Sequence, residues 1–219
     1  MKKLFLTINI CFFLLISVFP ETISFAADSM MGQAGSKTSS TKLIGDAYVK
    51  TDTMEIEADS IELSGEDYRT IVAQGHIKGK NLETNMEFTC NSLSYDRMTK
   101  LAVLQGNVSL TDIENDVKAE AQIIEYNQDT EVAVLQIQVK LLQKNNVCTG
   151  AYALYNKKAQ TLEISGNAQV KQDEDTFRAQ QISLNLETQD ITLSGNVKGS
   201  VKDDGTKKEA KKEEEENAQ

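Results

Sequence analysis

The chain has 219 residues, a formal net charge of −10, one histidine, three cysteines and no tryptophan. That acidic balance excludes a nucleic-acid binder, whose phosphate contacts need a surplus of Lys and Arg. A lone histidine and few cysteines offer no ligand set for a zinc-type centre, so neither metal nor cofactor is expected.

In chain order, the first element is an address. Lys2 and Lys3 precede an almost unbroken apolar run from Leu4 to Phe19, and Ser24-Phe25-Ala26 has the small–x–small pattern of a secretory cleavage site. Residues 1–26 therefore read as a cleaved signal peptide, which places the mature protein outside the cytoplasm. Residues 27–41 are rich in Gly, Ser and Thr, lack periodicity, and read as a flexible leader.

A short pattern then returns along most of the chain. It reads Ala73-Gln74-Gly75-His76-Ile77, Leu104-Gln105-Gly106-Asn107-Val108, Ile164-Ser165-Gly166-Asn167-Ala168 and Leu193-Ser194-Gly195-Asn196-Val197. A half-copy, Ile44-Gly45-Asp46-Ala47, comes first, and Leu135-Gln136-Ile137-Gln138-Val139 is a degenerate copy in which Ile137 replaces glycine. The central positions 45, 75, 106, 137, 166 and 195 stand 30, 31, 31, 29 and 29 residues apart. Self-similarity at such a period means stacked units that bury their apolar faces only against neighbours.

Each repeat has two strand-like halves. Around the glycine, even offsets are apolar, as in Ala102, Leu104, Val108 and Leu110, while odd offsets are mostly Gln, Ser, Asn, Lys and His. Period two with one dry face predicts antiparallel β structure. In the other half the dry parity slips by one residue at Ser60-Ile61, at Ile123-Ile124 and at Gln181-Ile182. A slip at the same place in successive strands predicts a β-bulge that bends each strand, with Gly45, Gly75, Gly106, Gly166 and Gly195 at inward offsets permitting the bend. Polar clusters at 64–67, 96–99, 127–130, 156–158 and 187–190 are hairpin turns. The predicted fold is all-β: a twisted, open jellyroll or solenoid of about eleven bent antiparallel strands over residues 42–201. Residues 202–219, blocks of Lys and Glu, form a solvated tail.

The dry face gives the candidate site: Ile56, Ala58, Ala73, Ile77, Phe88, Leu104, Val108, Ala119, Leu135, Val139, Ile164, Ala168, Phe177, Leu193 and Val197. Its many alanines leave room for a lumen, although a filled core would use the same side chains. The mature chain lacks proline to blunt its outer strands, so Ile44, Ala47 and Val49 at one end, and Ile191, Leu193 and Val197 at the other, are candidate edges for strand addition. Cys90 and Cys148 sit nearly two repeats apart, too far for a disulfide, and read as buried hydrophobes. His76 occupies an outward offset with no partner for a triad or metal cluster, and no motif predicts an enzyme.

The run Ala58-Asp59-Ser60-Ile61, the Tyr95-Asp96-x-x-Thr99-x-x-Ala102 turn and Leu104-Gln105-Gly106-Asn107-Val108 resemble the OstA-like repeats of the LptA family of periplasmic lipopolysaccharide-transport bridges. The resemblance implies a β-jellyroll in the periplasm whose interior shelters the acyl chains of lipopolysaccharide or a related glycolipid. It also implies partners in both membranes with similar domains, and head-to-tail joining of copies. A structural scaffold with a filled core and no lipid cargo is the alternative.

Overall fold

The computed structural model describes residues 22–32 and 40–202; the predicted signal run, most of the leader and most of the charged tail lie outside the described residues. Fourteen strands form a single antiparallel sheet. The first two are short, β1 (Ser24–Ala26) and β2 (Ser29–Gly32). Five hairpins follow: β3 (Thr41–Lys50) with β4 (Met54–Ser64), β5 (Thr70–Asn81) with β6 (Met86–Asp96), β7 (Leu101–Asp112) with β8 (Val117–Asn127), β9 (Val132–Gln143) with β10 (Asn146–Asn156), and β11 (Thr161–Gln172) with β12 (Asp175–Asn185). Two short strands, β13 (Ile191–Ser194) and β14 (Lys198–Ser200), end the stack.

From β3 to β12, each strand pairs with the next in sequence. β1 and β2 lie on successive halves of β3, at Tyr48–Lys50 and Thr41–Ile44, and so make one broken outer strand. At the far end β13 and β14 do the same on β12. Counted as ladder positions the stack has twelve rungs, one more than predicted, and at about 4.8 Å per rung it is roughly 50 Å long. The extra rung comes from residues expected to be signal and leader. Residues 24–32 satisfy their backbone groups on β3, which outweighs the weak strand propensity of a segment in which six of nine residues are Ser, Ala, Asp or Gly.

Every long strand bends in the middle. In β5, β7 and β11 two consecutive residues take left-handed backbone conformations, Gly75-His76, Gly106-Asn107 and Gly166-Asn167, and the register slips there against both neighbours. The partner strands keep extended geometry but turn two consecutive residues outward, as at Asp59-Ser60 and Asn91-Ser92, which is the predicted parity slip. The glycines themselves differ from expectation. A Cβ on Gly75 would collide with the exposed Asp59 carboxylate, and one on Gly106 with the Asn91 side chain. The column therefore faces the outer ridge, because two left-handed residues in succession rotate the strand through its inward position. Ile137 adopts φ 66° and Gln138 φ 56° without any glycine. The bend at that rung is imposed by its neighbours, against the steric preference of a β-branched residue.

Turn chemistry is equally regular. Asn81, Asp96, Asp112 and Asn127 each end a strand, and each Oδ1 accepts backbone N–H groups two or three residues on. Adjacent turns also bond to one another: Ile113 N–H donates to Asn85 O at 3.3 Å, and Gln128 N–H to Lys100 O at 3.0 Å. The ladder thus continues into the two rows of turns that form the lips of the folded sheet.

Candidate lipid-binding interior

Folding each strand at its bend brings the dry faces of the two half-sheets together. Every predicted inward residue from Ile56 to Ala168 is buried in one continuous cluster: Ile56, Ala58, Ala73, Ile77, Phe88, Leu104, Val108, Ala119, Leu135, Val139, Ile164 and Ala168. The last three behave differently. Phe177 and Leu193 are only half-buried, and Val197 is 52% exposed. Val197 falls in the gap between β13 and β14, where no further strand among the described residues covers it.

Through the middle of the stack the interior is filled by its own side chains. Ala73, Leu93 and Leu135 are all at 0% exposure. Cys90 and Cys148 are free, point into this interior, and have their thiols pushed up to about 11 and about 12 by burial, so neither is a reactive thiolate at neutral pH.

The closure has a polar seam that the sequence reading missed. Turns on one lip meet turns on the other, three rungs further along the stack. Glu83 accepts a short hydrogen bond from Gln128 Nε2, and Gln128 Oε1 accepts one from Tyr95 Oη at 3.0 Å. One repeat later, Asp112 Oδ2 accepts from Tyr155 Oη at 2.6 Å and Asp112 Oδ1 from Lys157 Nζ at 2.9 Å; Lys157 also pairs with Glu114 at 2.8 Å. One repeat after that, Asn146 Nδ2 donates to Gln189 Oε1 at 2.7 Å, and Gln189 Nε2 to Gln143 Oε1 at 3.1 Å. The cross-lip contacts join residues 43 to 46 apart, a constant step of one and a half repeats.

The middle clasp is ionic and buried: the Lys157 side chain is 4% exposed and that of Asp112 1%. Burial pushes the Asp112 carboxyl up, but hydrogen bonds from Tyr155, Asn115 and Lys157, with the Lys157 charge, hold it below the usual carboxylate range. Burial likewise disfavours the Lys157 charge, and its bonds to Glu114 and Asp112 outweigh that and raise it. Both groups are ionised near neutral pH. A faint sequence signal exists in retrospect. Asn81, Asp112 and Gln143 each stand six residues beyond positions 75, 106 and 137, on the inward parity, where a polar residue closes an apolar series.

The edge candidates at the beginning of the stack need correction. Ile44, Ala47 and Val49 lie on β3, which β1 and β2 cover, so the outer strand is residues 24–32. It presents Phe25, Met30 and Met31 as exposed apolar side chains. Of the predicted far edge, Ile191 and Leu193 lie in β13 and Val197 in the gap before β14. His76 is exposed and sits 2.9 Å from Asp59 on the ridge. Among the described residues no group of His, Cys, Asp and Glu could hold a metal ion, and no helix is long and apolar enough to cross a membrane.

Against known proteins, the family model described as LptA/(LptD N-terminal domain) LPS transport protein matches residues 26–132 and, again, 89–190. The chain belongs to this family. Overlapping matches are what an internally repeated member produces, since one model can be laid on the stack in two registers. Among solved structures, the chain is similar to LptH, described as the LptA homologous periplasmic component of the lipopolysaccharide transport device from Pseudomonas aeruginosa. That similarity has 13% identity and a TM-score of 0.26, and covers 83% of this chain and 96% of that one. Comparison with curated proteins gave no match.

Proposed function

We propose that this member of the family is a periplasmic bridge that shelters the acyl chains of lipopolysaccharide, or a related glycolipid, between its half-sheets. It passes them from inner to outer membrane through domains joined edge to edge. The observation that carries this reading is the unbroken apolar interior along the stack of a lipopolysaccharide-transport family member. At about 0.8 kcal/mol per buried methylene, ten methylenes gain roughly 8 kcal/mol, enough to offset local rearrangement of the interior. Residues 1–26 serve as the export signal. Cleavage after Ala26 would remove β1 and free the Tyr48–Lys50 half of β3 for a neighbour's strand. At the other end the β13/β14 rung has no outer neighbour among the described residues and carries no proline. Similar domains of inner- and outer-membrane partners, or a second copy, would occupy these two edges. The chain acts by binding rather than by bond-making, and direction comes from a partner machine.

The test is a photo-crosslinking residue placed at Phe177 or Leu193 in cells. Lipopolysaccharide adducts at both positions are expected; exported, folded protein that yields none refutes the reading. One observation favours a second reading, a scaffold without cargo: the middle of the interior is filled. Native mass spectrometry of protein drawn gently from its own envelope separates them, since a scaffold carries no lipid mass.

A further inference from the structure

The outer face of one half-sheet carries its charge differently at its two ends. This face lies between the bends and the row of turns at 51–53, 82–85, 113–116, 144–145 and 173–174. From β3 to β9 its cations are matched across strands. Lys50 pairs with Glu55 at 2.5 Å and Lys80 with Glu87 at 3.4 Å, while Lys118 and Lys140 share Glu120 at 3.0 and 3.8 Å. Lys78 stands opposite Glu57 in the register. On β11, β12 and β14 the matching stops. The outward residues there are Gln169, Lys171, Thr176, Arg178, Lys198 and Ser200, three cations and no carboxylate. Gln169, Arg178 and Lys198 are neighbours in register, as are Lys171, Thr176 and Ser200.

All three cations are exposed, and none makes an ion pair among the described residues. Arg178 Nε donates to Gln169 Oε1 at 3.1 Å, a neutral acceptor. The carboxylates on the nearby lip are taken by Lys202: its N–H donates to Asp175 Oδ1 at 2.9 Å and its ammonium pairs with Glu174. Like charges on adjacent strands repel one another. The patch is therefore a positive island on a chain whose net charge is −10. Lys202, where the described residues end, stands beside it at the lip. Next in sequence comes Asp203-Asp204-Gly205-Thr206, whose Asp-Gly composition favours a turn back over the same face, and then the block Glu213-Glu214-Glu215-Glu216. The eleven steps from Lys202 to Glu213 can span up to about 36 Å. Lys198 is only about 13 Å back along β14, and Lys171 about 10 Å across two rungs. Length and charge both fit.

We propose that the Glu213–Glu216 block of the chain's own tail docks on Lys171, Arg178 and Lys198, laying the tail along the outer face of the terminal rung. An exposed ion pair contributes little singly. Tethering makes the later contacts intramolecular, at an effective concentration of about millimolar, so that the set holds where one pair would not. The docked block neutralises the island and shields the side of β14 on which a neighbour's strand would be added. It does so whether or not the interior carries lipid.

Lysine reactivity tests this on the exported, full-length protein. Acetylation rates at single lysines are read by mass spectrometry in wild type and in a variant with Glu213→Gln, Glu214→Gln, Glu215→Gln and Glu216→Gln. Lys171 and Lys198 are expected to react about threefold more slowly in wild type at low salt, with the difference gone at about 0.5 M salt. Lys78 and Lys80, on the same face at the other end, should react alike in both proteins. Equal rates at Lys171 and Lys198, or a slowing shared by Lys78 and Lys80, overturn the proposal. Carbodiimide coupling in an equal mixture of nitrogen-15-labelled and unlabelled protein then shows whose tail is bound. Glu213–Glu216 joined to Lys171 or Lys198 within single-isotope chains supports docking in the same chain, and Arg178→Gln should lower that yield severalfold. Mixed-isotope joins as frequent as single-isotope ones place a second copy's tail on the patch and overturn it.

Discussion

The middle of the stack and its C-terminal end are built from the same repeat, yet they differ in how they close. From β5 to β10, each row of turns on one lip finds its counterpart three rungs on, and the inward residues between are sealed. At the C-terminal end, the turn between β11 and β12 at Asp173-Glu174 has, among the described residues, no rung three positions further to meet, since the described stack reaches only to β13 and β14. Phe177, Ile191 and Leu193 are left half-buried as a result. The opening end has a different ending again: the Gly65–Arg69 connection folds Tyr68 over the interior, with its hydroxyl 3.3 Å from Thr41 Oγ1 and its carbonyl held by Arg97. Closure is therefore a property of position in the stack more than of local sequence. Inward residues lose their cover only towards the end of the stack, at Phe177, Ile191, Leu193 and Val197, while Val170 beside the last turn is still at 0% exposure.

The largest expected effect contrasts the two regions directly. Leu104→Asp puts a carboxylate into the sealed middle and should cost about 4 kcal/mol in urea unfolding, whereas Leu193→Asp, able to reach water, should cost about 1 kcal/mol or less. Equal losses would break the contrast. Next comes the buried Asp112–Lys157 clasp. Asp112→Ala leaves Tyr155 buried without its acceptor and Lys157 with Glu114 alone, and should destabilise by about 3 kcal/mol, because the surviving groups stay desolvated. The corresponding ends of the last repeat, Gln172 and Val201, have no cross-lip partner among the described residues, so Gln172→Ala should shift the urea midpoint very little.

The pH dependence sharpens the same point. The Asp112 carboxyl is held below its ordinary value of 3.8, so its contribution is fully present above about pH 4 and is lost as pH falls through the lower, folded value. The Lys157 ammonium is held above 10.5, so its share is present below that and lost as pH rises further. The groups facing this pair are Glu114, Asn115, Tyr126 and Tyr155. Thermal unfolding followed against pH should show an acid limb that is shallower in Asp112→Asn than in wild type; identical limbs would mean the cluster contributes nothing to stability. The smallest effect lies on the ridge. Ile137→Gly restores the residue the other repeats use at φ near 75° and should stabilise by about 1 kcal/mol, read as a rise in melting temperature.

Much of this architecture was legible before any coordinates. Alternation around Gly106 gave the antiparallel ladder, and the parity slips at Ser60, Ile123 and Gln181 located the bend to the residue. One row of turns fell where polar clusters stood, at 64–67, 96–99, 127–130, 156–158 and 187–190; the opposite row, between β5 and β6 or β7 and β8 for instance, was not predicted. Three particulars escaped. The outer strand of residues 24–32 carries a cleavage-site pattern and small polar residues, and nothing local announces that β3 needs a partner. The outward aim of the glycine column depends on two successive left-handed residues, and residue type constrains only the first of them. The Asp112–Lys157 clasp joins loops that read, one at a time, as ordinary solvated turns.

Period, parity and turn composition belong to the chain itself, since each is fixed by backbone geometry acting over a few neighbouring residues: 3.4 Å per residue, alternate faces, and a tolerance for positive φ. They determined an all-β stack, its bends, its greasy side and its family. Which lip meets which, how far the interior is sealed, and where charge is buried were decided only when the sheet folded on itself. Twist accumulated over three rungs sets that offset, and no local window of sequence contains it.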